Sequence, residues 1–170
     1  MNIEAAMLDS DGRHEEAQRL FRKILEFEPE SGLVWFNLGL SLDTAHKVVE
    51  AIDAYEKSIQ FSDNERTRAL LCLSHIYNGA QRGTCSKCDV FYAENPQYLD
   101  KEQAFGFWKR AVVSDDGRES SAFRTILGMS FGFPRGEVLE FLEEVSAREP
   151  DSPRSRRTQQ IIRKVRTRGE

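Results

Sequence analysis

The chain is poor in the residues that build strands, membrane spans and disulfide frameworks. Its 170 residues hold three cysteines, Cys72, Cys85 and Cys88, and five prolines. No Val/Ile/Thr-rich run alternates with polar residues, which argues against strands. No stretch approaches the roughly 20 apolar residues of a membrane span. The N-terminal stretch MNIEAAMLDSDG lacks the basic and apolar regions of a signal peptide. A cytoplasmic protein is therefore expected, with its cysteines as thiols or metal ligands rather than disulfides.

Catalytic chemistry is equally thin. Three scattered histidines give no Ser/His/Asp arrangement. HEEAQ at His14 has Gln18 where a zinc protease needs its second histidine. DSDG at Asp9 brings its glycine too early for a calcium loop. GMSFGFPRG lacks the lysine and the preceding strand of a phosphate loop. His46 falls in an inter-helix turn and is expected to be solvated. The chain is read as a binding protein, not an enzyme.

What is present is apolar periodicity at helical spacing, with 39% apolar and 31% charged residues. Net charge is −4 but uneven. Residues 1–150 carry 17 Lys/Arg against 26 Asp/Glu, and residues 151–170 carry seven against two. An acidic body thus bears a basic tail.

A period of 34 residues organises the first part. Trp35, Leu38, Gly39 and Leu42 share one helix face, with Ala51, Tyr55 and Ser58 on the next helix. Gly39 lets the second helix approach closely, and Tyr55 fills the space beside it. One period upstream, Ala5, Leu8, Ala17 and Phe21 stand at the places of Gly39, Leu42, Ala51 and Tyr55. Gly12 supplies the turn, and Pro29 ends the unit before Ser31 starts the next helix.

GRHEEAQRLFRKILEFEPES and VWFNLGLSL…EAIDAYEKSI resemble the tetratricopeptide repeat (TPR) family over residues 1–62. Asp63 stands where that pattern closes on proline. The resemblance implies an all-α, right-handed solenoid of helix-turn-helix units, about nine helices in all, that binds proteins. Units are expected at about 1–30, 31–64, 65–116 and 117–150, with a basic capping helix or tail at 151–170. The third unit pairs Leu70, Leu73, Ser74 and Tyr77 with Ala104, Trp108 and Ala111, and carries an 18-residue insertion near 79–99. Asn95-Pro96 is expected to cap a long second helix reaching about Val113. Leu127, Gly128 and Phe131, then Val138, Leu142 and Val145, mark the degenerate fourth unit, with Arg124 at an apolar position.

The resemblance further implies a concave groove lined by the first helices. Leu33, Phe36, Asn37, Leu40, Arg68, Leu71, His75, Met129 and Phe133 are the partner-binding candidates. One subgroup of the family clamps a C-terminal carboxylate of heat-shock chaperones with five Lys, Asn and Arg residues. Here those places hold Asn2, Ala6, Asn37, Arg68 and Cys72, and only Asn37 and Arg68 suit an anion. A partly apolar groove for a peptide is expected instead, serving an adaptor or a chaperone. Small arrays of this kind with apolar grooves serve as bacterial secretion chaperones. The alternative is that the insertion folds back over these side chains and makes them core. Glutamate at Phe36 and Leu71 would then separate the readings if helicity survived.

Two further readings stay open. Cys72, His75, Cys85 and Cys88 read C-x2-H-x9-C-x2-C, a set of four ligands that zinc accepts, although the register turns Cys72 and His75 apart. Solvated loop thiols are the plainer reading, and no cofactor is expected otherwise. The tail residues Arg154, Arg156, Arg157, Arg163, Lys164, Arg166 and Arg168 could meet phosphates, but no aromatic residue is interleaved for base stacking. A protein or peptide partner is expected, with self-association open; nucleic acid is the weaker alternative, and no membrane is implied.

Overall fold

A computed structural model describes residues 1–79, 86–116, 120–130 and 132–167. These residues form ten α-helices and one short 3-10 turn, and no strand occurs among them. The helices are α1 (Asn2–Ser10), α2 (His14–Phe27), α3 (Gly32–Thr44), α4 (Val48–Phe61) and α5 (Asp63–Tyr77), then α6 (Ser86–Glu94), α7 (Lys101–Ser114), α8 (Ser120–Ser130), α9 (Arg135–Arg148) and α10 (Pro153–Thr167). From α1 to α5 each helix packs against the next, α5 continues to α7, and α9 packs on α10. Helices two apart also touch: α1 meets α3, and α3 meets α5.

Spacing explains the pairing. Ala17, Phe21, Ile24 and Leu25 recur every three or four residues on α2 and are all buried. Gly39 of α3 and Tyr55 of α4 meet as the pattern requires. A Cβ at Gly39 would stand 2.7 Å from the Tyr55 ring, so only a hydrogen fits there. At the start of the same helix, a Cβ on Gly32 would fall 2.3 Å from the Ser62 Cβ. Gln18 and Ser74, both buried, find partners inside the core. Gln18 donates to the Ser41 carbonyl and accepts from Lys47 Nζ, and Ser74 Oγ donates to the Ala104 carbonyl.

Three turns share one geometry. After α1, α3 and α5, the second residue past the helix adopts positive φ: Gly12 at 78°, His46 at 60° and Gly79 at 67°. Each donates its N–H to the carbonyl three residues back. Glycine enters this region freely, whereas an L side chain there costs about 1–2 kcal/mol. His46 is the exception among the three.

The insertion differs from expectation in two respects. It contains a helix of its own, α6, which the sequence reading did not place. Asn95-Pro96 opens only a 3-10 turn, Pro96–Tyr98, and the chain bends again before α7. Asp100 caps α7 instead, its carboxylate accepting from the Gln103 N–H at 2.9 Å. Rings anchor the insertion: Phe91 stacks on Tyr98, and Tyr98 meets Tyr77, which in turn meets Phe107 of α7.

At the other end, α10 lays Ser155, Thr158, Ile161, Ile162 and Val165 against the preceding helices. Val138, Leu142 and Val145 of α9 are buried beneath it. The helical tail expected at residues 151–170 is thus present through Thr167.

Candidate functional site

The side chains that the 34-residue register placed on one face do come from neighbouring helices. Asn37 Nδ2 of α3 lies 3.4 Å from Asn2 Oδ1 of α1. Arg68 of α5 holds its guanidinium 4.3 Å above the Phe36 ring of α3, steered by Glu65 at 2.9 Å. Further along, His75 of α5 and Asn78 just past its end face Thr125, Gly128 and Met129 of α8, with Gly132, around a cavity of about 410 Å³.

The apolar content of this face is lower than expected. Leu33 is 44% exposed and Leu40 half-buried, but Phe36, Leu71, Met129 and Phe133 are all buried. Phe36 lies under Arg68 and beside Tyr55. Phe133 turns inward onto Phe105 and Trp108. Met129 still forms part of the cavity wall. Glutamate at Phe36 or Leu71 would therefore enter the core and unfold the protein rather than probe binding. Half-buried Arg68, with His75 and Leu33, carries the accessible chemistry. Partial desolvation by the surrounding side chains lowers the pKa of His75, which favours its neutral form.

The insertion covers one end of this face. Tyr92 of α6 donates its hydroxyl to the Ile76 carbonyl in the last turn of α5, at 2.9 Å. Cys88, fully buried, places its sulfur 3.2 Å from His46 Nδ1 in the turn after α3. Burial raises the Tyr92 phenol to about 12, and the Asp43 carboxylate of α3 adds to that shift. So α6 lies over the C-terminal ends of α3 and α5, while the α5–α8 cavity stays open.

The three described members of the proposed zinc quartet, Cys72, His75 and Cys88, are not brought together. Cys88 pairs with His46, a residue expected to be merely solvated. Cys72 sits beside the Tyr55 hydroxyl, and burial pushes its thiol up to about 11. His75 belongs to the α8 cavity, and Cys85 lies outside the described residues. Among the described residues no three His, Cys, Asp or Glu side chains are placed to hold a metal. The only cue to His46 in the sequence was its position, one period after Gly12, where a glycine is the easier choice.

The basic tail is largely occupied. Arg157 pairs with Asp115 at 3.4 Å, Arg154 reaches Glu149 and the Asp115 carbonyl, and Arg166 pairs with Glu143. Arg156 donates to the Asp151 carbonyl. Arg168 lies outside the described residues.

These features define an all-α protein of helices packed on their neighbours, with a cavity open between α5 and α8 and with α6 laid over the C-terminal ends of α3 and α5. No family model matches the chain. Over 42 residues it is 48% identical to the uncharacterized protein y4yS of Sinorhizobium fredii (strain NBRC 101917 / NGR234). That stretch is 25% of this chain and 23% of y4yS, so the chain spans less than a quarter of that relative's length. No described helix is long and apolar enough to cross a membrane.

Proposed function

We propose that this chain is a TPR-like helical-repeat module that binds a peptide segment of a protein partner along the face of α3, α5 and α8, as an adaptor or chaperone does. Support for the repeat reading comes from the neighbour-to-neighbour packing, the Gly39–Tyr55 contact and the shared turn geometry one period apart at Gly12 and His46. The cavity between α5 and α8 carries the binding reading. Its wall includes His75 and Met129, which the sequence register put on one face, and it stays open while other parts of that face are capped by Arg68 or covered by α6. Its polar wall, His75, Asn78 and Thr125, around Met129 suits a segment that alternates small apolar and hydrogen-bonding groups.

Selection from a displayed peptide library on the folded protein, followed by fluorescence anisotropy of the enriched peptides, tests this. Leu33→Glu, His75→Glu and Thr125→Arg change accessible residues and should weaken binding about tenfold or more, with unchanged helicity. Failure to enrich any peptide, or affinities indifferent to His75→Glu and Thr125→Arg, would remove the proposal.

A further inference from the structure

A second cavity lies on the other side of α5. Arg66 sits nine residues, two and a half helical turns, before His75, and so points the opposite way. This cavity has a volume of about 730 Å³ and a floor of Ile59, Leu70 and Phe141 from α4, α5 and α9. Along it runs a stripe of α7, Gly106–Lys109–Arg110–Val113, at i, i+3, i+4, i+7 spacing.

Three observations mark this stripe as a docking surface. Gly106 sits inside a helix, where glycine costs about 1 kcal/mol against alanine, yet a Cβ there would meet nothing within 4 Å. No internal contact requires that glycine. Next, Lys109 and Arg110 interact only with rings among the described residues. Lys109 lies 4.6 Å from the Phe105 centroid and Arg110 5.6 Å from that of Phe107. Among the described residues no carboxylate pairs with either cation, in a chain whose net charge is −4. Val113 is also 40% exposed in the stripe.

The same chain carries the complement. On α1, Ile3 and Met7 are one turn apart and 79% and 63% exposed, with the exposed carboxylate of Glu4 between them. Residues 1–12 contain Glu4, Asp9 and Asp11 and no Lys or Arg. We propose that the cavity on α7 receives α1 of a second copy of this chain. Ile3 and Met7 would enter over Gly106 against Phe141 and Val113, and Glu4 would meet Lys109 and Arg110. The two surfaces differ, so the contact is head-to-tail and leaves a free α1 and a free cavity at the ends of each assembly.

Sedimentation velocity over a concentration series tests this, with three proteins: wild type, Ile3→Glu/Met7→Glu, and Gly106→Leu. A Cβ at Gly106 meets no other group within 4 Å and leucine favours the helix, so this variant should fold with its side chain in the cavity; far-UV circular dichroism checks that. The wild type should grow with concentration, and less so at high salt. Each variant alone should associate at least about tenfold more weakly. Mixed together, the two variants should form a 1:1 dimer that grows no further, because one supplies an intact cavity and the other an intact α1. A wild type monomeric at every concentration would overturn the proposal. So would association that survives Gly106→Leu but not Ile3→Glu/Met7→Glu, which would pair α1 with α1.

Discussion

His46 is the residue whose conformation and chemistry are most tightly joined. It holds a left-handed backbone where the turns after α1 and α5 use glycine, and its imidazole lies against the buried Cys88 sulfur. Replacing it by glycine keeps the turn and removes the imidazole from the Cys88 sulfur. A hydrogen bond of this kind contributes about 0.5–1.5 kcal/mol. His46→Gly should therefore raise the rate of alkylation at Cys88 about two- to tenfold, read by peptide mapping, with Cys72 as internal control. An unchanged rate would mean that the rings of Phe91, Tyr92 and Tyr98 hold α6 in place unaided. None of this pairing was legible in the chain, since 42 residues separate the partners. The sequence grouped Cys88 with Cys72 and His75 because local spacing is all it offers, and the fold turned each toward a different neighbour.

At the scale of an element, three helical glycines are predicted to answer alanine in different directions. Gly39→Ala pushes a methyl group into the buried Tyr55 ring and should cost about 1–3 kcal/mol. Gly32→Ala meets the backbone nitrogen of Ser62 at 2.9 Å as well as its Cβ, and backbone cannot rotate away, so it should cost at least as much. Gly106→Ala meets nothing and should instead stabilise by about 0.5–1 kcal/mol. Thermal melts of the three variants check the order; for a chain this size each kcal/mol moves Tm by about 2–4 °C. The close approach at Gly39 was readable, because its partner Tyr55 lies in the adjacent helix at a fixed place in the period. The insertion was less readable. Asn95-Pro96 looked like a helix start, yet Asp100 took that role, because Tyr98 had to leave the helical path to stack on Phe91 and reach Tyr77. Helix α6 has no one-sided apolar stripe to announce it; only Cys88 and Tyr92, one turn apart, are buried in it.

For the whole molecule, α10 closes the stack. Ending the chain at Pro150 strips Ile161, Ile162 and Val165 from Val138, Leu142 and Val145, and frees Asp115 from Arg157. The apolar part alone is worth about 4–8 kcal/mol, a large share of the 5–15 kcal/mol that holds a domain folded. The truncated chain should lose its cooperative melt or aggregate; a melt within a few degrees of wild type would show that α10 merely lies on the surface. The positive charge of this tail looked available in the sequence, but Arg154, Arg157 and Arg166 are drawn into contacts with the acidic body.

By itself the sequence determined the all-α class, the close contact at Gly39 and the apolar face of α10. These follow from short-range rules: a period of 3.6 within a helix, a period of 34 between units, and the size of a side chain at a crossing. Only the tertiary structure decided which residues of the expected groove remain accessible, because burial of Phe36 depends on Arg68 and Tyr55, and burial of Phe133 depends on Phe105 and Trp108. The same holds for the Cys88–His46 contact and the basic cavity on α7. Each is made by residues far apart in the chain, brought together by packing that no local pattern encodes.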